Sequence, residues 1–151
     1  MAHSLSKIIV HTVFSTRRRR PFLRDMALRK GLHGCLSEIL GNMDCGPFVV
    51  GGVEDHVHAL STLGRTCSAA ILVKELKRRS SLWFKSTQSG ITDFAWQQGY
   101  GMFSVSYSQL ELVKDYIEGQ EKHHQKISFQ DEFRTLLKRY DIESDEKYLW
   151  D

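Results

Sequence analysis

The stretch GPFVVGGVEDHVHALSTL, from Gly46 to Leu63, contains two apolar segments separated by an acidic turn. Valine-rich and alternating segments of this length are typical of the two strands of a β-hairpin. Side chains alternate across a strand, so His56 and His58 are predicted to point to one face and Val57 to the other. The stretch therefore predicts two paired strands with two imidazoles on one side of a sheet.

The segments around this hairpin alternate between strand and helix patterns. β-Branched and aromatic runs predict the strands, and apolar residues at helical spacing predict the helices, one of which Ser68 could cap. The predicted elements beyond the hairpin are residues 5–16, 25–41, 68–87, 101–108, 109–126 and 129–140. With the two hairpin strands counted in chain order, the first six elements match the ferredoxin-like βαββαβ arrangement. We therefore predict an α+β fold with helices on one face of the sheet, plus a C-terminal helix that carries Tyr116 and a short acidic tail.

The chain has 151 residues, which is enough for one domain with a hydrophobic core. We predict a main unit at residues 1–128 and a C-terminal helical and acidic extension at residues 129–151. No apolar run approaches the roughly 20 residues that span a bilayer, and no secretory signal is recognisable. Three scattered cysteines are typical of reduced thiols, so we predict a cytoplasmic protein without a membrane partner.

Positive charge is concentrated in two segments, although the net charge is only +3. Arg17, Arg18, Arg19 and Arg20 follow the first strand; we call them the arginine cluster. A second basic group on the helix at 68–87 consists of Lys74, Lys77 and Arg78. Such surfaces suit a polyanion such as nucleic acid, and the alternative is an ordinary solvated surface. Aromatic residues that could stack on bases, or else belong to the core, are Phe22, Trp83 and Trp96.

A second group of polar residues lies in VKDYIEGQEKHHQ, within the helix predicted at 109–126. Tyr116 and Gln120 are four residues apart, so they share a helix face. A helix that follows the last strand can cover the sheet face that carries His56 and His58. Each residue also has an ordinary alternative: histidines of a plain strand, a half-buried tyrosine, and a surface glutamine.

Together these features resemble the single-tyrosine HUH transposases, in which U is a hydrophobic residue between two histidines. That family includes the transposases of small insertion sequences that move as single-stranded DNA, and the REP-associated tyrosine transposases. The resemblance covers nearly the whole chain, and its blocks occur in the family's order. These blocks are HTVFSTRRRRPFL, EDHVHAL, VKELKRRSSLWF, WQQGYGMFSVS and YIEGQEKHH.

The resemblance implies an activity and a set of site residues. It implies a magnesium or manganese ion bound by His56, His58 and a third polar ligand, which we match to Gln120. It also implies a homodimer that recognises DNA hairpins, in which Tyr116 attacks single-stranded DNA and forms a 5′-phosphotyrosine. The arginine cluster and the second basic group would hold the DNA, and no small-molecule substrate is expected.

Two other functions stay open from the sequence. The chain could be a catalytically silent module that binds DNA hairpins, or a metal-dependent nuclease that uses water, with Tyr116 incidental. A covalent phosphotyrosine conserves the bond energy for rejoining, which suits strand transfer better than hydrolysis. The sequence assigns no role to His123, His124 or the acidic tail.

Overall fold

The computed structural model of the chain describes residues 3–150 and contains a four-stranded antiparallel sheet. The strands are β1 (Ile9–Ser15), β2 (Pro47–Gly52), β3 (His56–Thr62) and β4 (Gly101–Val105), in the order β2-β3-β1-β4. β3 therefore lies between β1 and β2, and β1 lies between β3 and β4. This is the ferredoxin-like arrangement, and the predicted fold class is confirmed.

Two long helices, α1 (Met26–Asn42) and α2 (Ala69–Ser86), cover the first face of the sheet. The side chains of Asp25 and Ser68 each accept a hydrogen bond from the backbone N–H three residues later, at 2.9 and 3.2 Å. Each cap satisfies an N–H that has no partner within the helix, and the predicted cap at Ser68 is confirmed. The core on this face includes Phe14, Leu36, Val57, Ala59, Leu72 and Leu76.

The second face of the sheet carries α3 (Leu110–Glu118) and the short α4 (Gln120–His123). The cluster that joins α3 to this face consists of Ile9, Leu60, Val105, Leu110 and Ile117. Our prediction of one continuous helix over 109–126 is wrong, because Gly119 separates α3 from α4 with φ −88° and ψ 12°. Glycine loses more backbone entropy than any other residue in a helix, which favours a break at this position.

α5 (Phe129–Arg139) also packs on the second face. Four of its buried apolar side chains form a cluster with Val13 of β1 and Phe103 of β4. Burying each such side chain contributes roughly 1.5–3 kcal/mol, so α5 is held firmly on the sheet. α6 (Glu146–Leu149) follows in the acidic segment, and Trp150 packs on the same cluster. The domain boundary that we place between residues 128 and 129 stays a prediction.

The three cysteines are free thiols, and Cys45 is buried in the core of the first face. Burial raises the pKa of the Cys35 and Cys67 thiols, which favours their unreactive, protonated form. Among residues 3–150, no helix combines the length and the apolar character needed to cross a membrane.

Candidate active site

β3 carries His56 and His58 on the second face of the sheet, where both side chains are completely buried. They pair with Ser15 and Val13 of β1, while Val57 points into the core of the first face. The Nε2 atoms of both imidazoles approach one carboxylate oxygen, at 3.3 and 3.0 Å. Because side chains alternate along β3, both imidazole rings reach the same carboxylate oxygen.

Tyr116 and Gln120 reach this point from α3 and α4. The Gln120 side chain is buried, and its Oε1 lies 3.2 Å from His56 Nε2. The Tyr116 ring stands edge-on to the His58 ring, with the centroids 5.8 Å apart. Although Gly119 interrupts the helix, the Gln120 amide nitrogen is still 3.5 Å from the Tyr116 carbonyl. The two side chains therefore meet the histidines together.

The carboxylate at the centre belongs to Glu132 of α5, a residue that our sequence analysis missed. It is 3% exposed. Its Oε1 is the atom that faces the two histidines. Its Oε2 accepts a hydrogen bond from the Gln120 amide at 3.1 Å and another from the Tyr116 hydroxyl. Glu132 therefore contacts all four residues that the sequence predicts for the site.

The sequence did contain a signal for Glu132. It lies three residues after Phe129 and four before Leu136, and both are buried on the apolar face of α5. Residues at these spacings share one helix face, so a glutamate there points toward the core. Because glutamate is almost never fully buried without a partner, its position indicates a polar site below α5.

His123 and His124 also face this carboxylate. His124 Nε2 lies 3.1 Å from Glu132 Oε1, and His123 Nε2 lies 3.4 Å from Oε2. The Nδ1 of His124 donates to the Ile127 carbonyl at 2.6 Å, which aims Nε2 into the site. His124 is therefore a third imidazole in reach of the centre.

Two outer residues orient the strand histidines. His56 Nδ1 lies 2.7 Å from Asp55 Oδ1, and His58 Nδ1 lies 2.7 Å from Nε2 of the buried His11. In both rings the hydrogen bond at Nδ1 turns Nε2 toward Glu132. Such outer partners typically fix the tautomer and orientation of metal-binding histidines. Burial, assisted by His58, lowers the pKa of His11 to about 3, so His11 is a neutral partner.

The two strand histidines differ in charge. Burial opposes the charged form of His56, but hydrogen bonds to Asp55 and Glu132 outweigh it and raise the pKa to about 9. Burial lowers the pKa of His58 to about 4 despite the same carboxylate. Near pH 7 one imidazole of β3 is thus charged and the other is neutral.

Near neutral pH Glu132 is ionised and Tyr116 is neutral. Burial disfavours the charged form of Glu132, but hydrogen bonds from the surrounding histidines outweigh it and hold its pKa far below the usual range. Burial and the adjacent charge of Glu132 raise the pKa of the Tyr116 phenol well above its ordinary value. The phenol is therefore protonated, and its O–H points at an ionised carboxylate.

This donor set fits a divalent cation. Ligand atoms of His56, His58, His124 and Glu132 all lie within 4.8 Å of one another. Neighbouring ligands of an octahedral ion with bonds of about 2.0–2.1 Å are about 3.0 Å apart, close to the separations of the two Nε2 atoms from Glu132 Oε1. Imidazole nitrogens together with amide and carboxylate oxygens are common ligands of divalent ions.

A cavity of about 330 Å³ adjoins the site. Tyr116, Glu132 and His11 line it together with Arg139 and Tyr140. Tyr116 is only partly buried, so its phenol borders this space, whereas the histidines of β3 lie behind it. A molecule bound in this cavity would therefore contact Tyr116 but not the two histidines of β3.

The arginine cluster leaves β1 at the end of the sheet that carries His56. Ser15 pairs with His56, and the next backbone N–H, of Thr16, donates to the Asp55 carbonyl at 2.8 Å. Arg17 and Arg18 are exposed and line a cavity of about 220 Å³ with Trp96, Gln98 and Trp150. Arg20 forms an ion pair with Asp93, and Arg19 lies over the Trp150 ring.

The second basic group lies on α2, beside a cleft of about 520 Å³ that α2 forms with residues 94–100. Lys74 and Arg78 are exposed, and Arg78 pairs with Glu75 at 2.7 Å. Lys77 is different, because its ammonium donates to the carbonyls of Gln97, Gln98 and Gly99 at 2.7–3.2 Å. Its observed role is to fasten this segment to α2.

The three aromatic residues belong to the core or its edge. Phe22 and Trp96 are buried in the core of the first face, and the Trp96 indole donates to Ser80 Oγ at 3.0 Å. Trp83 is half-buried against the same core. Packing, which our sequence analysis kept as the alternative to base stacking, therefore describes these residues.

The solved structures that share this fold include two transposases. One is a Deinococcus radiodurans R1 protein assigned as a transposase, with 23% identity and a TM-score of 0.62 over 80% of this chain and 95% of that chain. The other is a REP-associated tyrosine transposase bound to a REP hairpin, with 14% identity and a TM-score of 0.61 over 84% and 74%. At these identities the likeness concerns the fold. No curated protein matches the sequence of this chain.

The sequence pattern of the family described as "Transposase IS200 like" matches residues 4–120. The match covers most of the chain and ends at Gln120, so it includes every site residue predicted above. His123, His124 and Glu132 lie beyond it. The family resemblance predicted from the sequence is confirmed, and the chain belongs to the IS200-like transposases.

Proposed function

We propose that this protein cleaves and rejoins single-stranded DNA through a covalent 5′-phosphotyrosine on Tyr116. His56, His58 and Gln120 would hold a magnesium or manganese ion. The observation that carries the proposal is the meeting of these four side chains around one buried carboxylate. Hairpin binding alone requires no such set of residues.

The chemistry of a phosphodiester explains why these residue types are suitable. The negative charge of the phosphate repels nucleophiles, and a bound divalent ion supplies charge neutralisation and orientation of that group. Neutral imidazoles and an amide oxygen bind such an ion without cancelling its charge. Their outer partners, Asp55 and His11, hold both rings with Nε2 toward the ion site.

Tyr116 would act as the nucleophile. Its phenolic oxygen attacks the phosphorus, the bond from phosphorus to the 3′ oxygen breaks, and that oxygen takes a proton and leaves as a 3′ hydroxyl. The proton that the phenol loses balances the proton that the leaving 3′ oxygen gains, with solvent as the carrier, and the hydrogen bond to Glu132 orients the phenol. In the reverse direction, a 3′ hydroxyl attacks the phosphotyrosine and restores a phosphodiester, so the reaction supports strand transfer.

Trapping the covalent adduct tests this proposal against both alternatives. The protein would be incubated with magnesium and single-stranded DNA that contains a hairpin, then denatured, digested and mapped. We expect DNA on the peptide that contains Tyr116, joined through a 5′ phosphate, and a free 3′ hydroxyl on the other fragment. Cleavage without an adduct would favour a water-using nuclease, and binding without cleavage would favour a silent hairpin-binding module. An adduct on Tyr107 would contradict the role of Tyr116.

We further propose that the arginine cluster binds DNA phosphates near the site, because it leaves β1 beside the strand pair that contains His56. The family relative bound to a REP hairpin supports hairpin DNA as the ligand. Lys74 and Arg78 provide further exposed positive charge on α2. Lys77 is expected to act indirectly, by holding residues 97–99 in place.

Removing charge from the arginine cluster should weaken the salt dependence of DNA binding. Each single-strand phosphate contact contributes about 0.7 log unit of affinity per log unit of salt. The double variant Arg17→Gln and Arg18→Asn should therefore flatten the slope by about 1.4, measured by fluorescence anisotropy over a salt series. Asparagine suits position 18 because Arg18 has a positive φ of 55°.

The matched control removes two charges from the opposite end of the same strands. Lys7 precedes β1 and Arg65 follows β3, and both are exposed. We expect the double variant Lys7→Gln and Arg65→Gln to keep the wild-type slope. Equal slopes for both double variants would assign the DNA to another surface.

We propose a homodimer, since joining two DNA ends requires two active sites. In this structure Tyr116 and Gln120 approach the histidines of their own chain. Sedimentation velocity at micromolar concentration should detect a dimer, and monomer alone would contradict this.

Mixing Tyr116→Phe with His56→Ala protein then reports how the active sites are assembled. Activity returns if the tyrosine helices exchange between subunits, and it stays absent if each site is built within one chain.

A further inference from the structure

α5 is the element of the site that lies outside the family match, which ends at residue 120. It is nevertheless fixed on the sheet by its own apolar cluster with Val13 and Phe103. From this rigid position it delivers the Glu132 carboxylate between the two histidines of β3. Its contribution is therefore a property of this chain's own C-terminal segment.

We propose that Glu132 is an additional ligand of the divalent ion, so that α5 supplies the anionic donor of the site. The inference rests on the proposed function, because it concerns the same ion. The inference goes beyond the proposed function because it adds a negatively charged ligand to the neutral ligands and makes α5 part of the metal centre.

The geometry divides the two oxygens of Glu132 between two tasks. Oε1 lies 3.0 Å from His58 Nε2 and 3.3 Å from His56 Nε2, which are separations of neighbouring ligands around one ion. Oε2 points away from the two histidines of β3 and accepts hydrogen bonds from Gln120 and Tyr116. The amide of Gln120 is thereby turned so that its oxygen faces His56 at 3.2 Å. One carboxylate thus offers an oxygen to the ion and orients a second ligand.

Charge supports the same assignment. Glu132 is buried, and among the described residues no lysine or arginine forms an ion pair with it; the basic groups within 3.0–3.4 Å of its carboxylate are the imidazoles of His56, His58, His123 and His124. A buried carboxylate is stable only when it is paired or bound to a metal. A divalent ion held by neutral ligands alone would in turn leave two positive charges in a buried site. Glu132 and the ion therefore compensate each other.

The opposite possibility is that Glu132 occupies the ion's place and must leave when the ion binds. The two cases predict opposite changes in affinity. Removing a ligand weakens ion binding, whereas removing a competitor leaves it unchanged or strengthens it. Measurement of the affinity therefore decides between them without any assay of DNA cleavage.

Calorimetric titration of the protein with manganese provides the test. Glu132→Gln keeps the size of the side chain and removes its charge, and we expect at least about tenfold weaker binding, since even outer-shell changes cost about 10–100-fold. Asp131→Asn is the matched control, because Asp131 is the exposed neighbour on the same helix, and it should bind as wild type. If circular dichroism shows that the Glu132→Gln protein is unfolded, the Glu132→Ala protein is titrated instead.

The outcomes separate this inference from the proposed function. If Glu132→Gln binds manganese as tightly as wild type, or more tightly, while His56→Ala does not bind, the ion site stands and Glu132 is not a ligand. If His56→Ala also binds as wild type, the ion site itself is wrong. Weak binding by both, with normal binding by Asp131→Asn, establishes the carboxylate of α5 as part of the metal centre.

Discussion

The Tyr116→Phe protein should fold, bind manganese and bind hairpin DNA, and yet form neither a nicked product nor a covalent adduct. In-line attack needs a nucleophilic oxygen within about 3–3.5 Å of the phosphorus, and this change removes that oxygen and little packing. The substitution also removes the hydrogen bond to Glu132. A hydrogen bond to a charged group contributes roughly 1.5–3 kcal/mol, which most domains of this size can lose and still fold.

Tyr140→Phe is the matched control for this experiment. Tyr140 lines the same cavity, and its hydroxyl donates to the Ser104 carbonyl at 2.8 Å, so the change also removes one hydroxyl and one hydrogen bond. We expect this protein to cleave DNA and to form the adduct, which a denaturing gel detects. A Tyr116→Phe protein that still nicks DNA would overturn the mechanism.

His56→Ala should reduce the affinity for manganese by at least about 100-fold, which removes binding from the range of calorimetry. His56 is completely buried, and its Nε2 faces both Gln120 Oε1 and Glu132 Oε1. The next residue of β3 cannot replace it, because the strand alternates and Val57 points to the other face. Leaving buried partners unsatisfied costs about 1–3 kcal/mol, so we expect a folded protein of lower stability.

His33→Ala is a suitable control for the loss of an imidazole. His33 lies on α1, on the first face of the sheet, and burial lowers its pKa to about 4, as for His58. We expect this protein to bind manganese with the affinity and the binding enthalpy of the wild type. Wild-type manganese binding by His56→Ala would rule out the site on β3.

Local patterns were sufficient for the order of strands and helices. Ser68 was predicted as a cap, and its hydroxyl does accept from the Ile71 N–H. The HVH spacing placed two imidazoles on one face because alternation in a strand is set by backbone geometry. The helix at 109–126 was predicted incorrectly, because apolar spacing continues across Gly119 while the backbone does not.

The sequence by itself indicated the fold class, the family and four residues that the structure brings together, His56, His58, Tyr116 and Gln120, because the histidines follow from alternation in one strand and the other two from matched motifs. Only the tertiary structure decided that Glu132 lies among them. It comes from α5, whose position depends on packing against Val13 and Phe103, residues far away in the chain. The helical period of α5 places Glu132 on its buried face, but long-range packing decides what that face meets, so the position of the charge between the histidines became visible only when the helix was placed on the sheet.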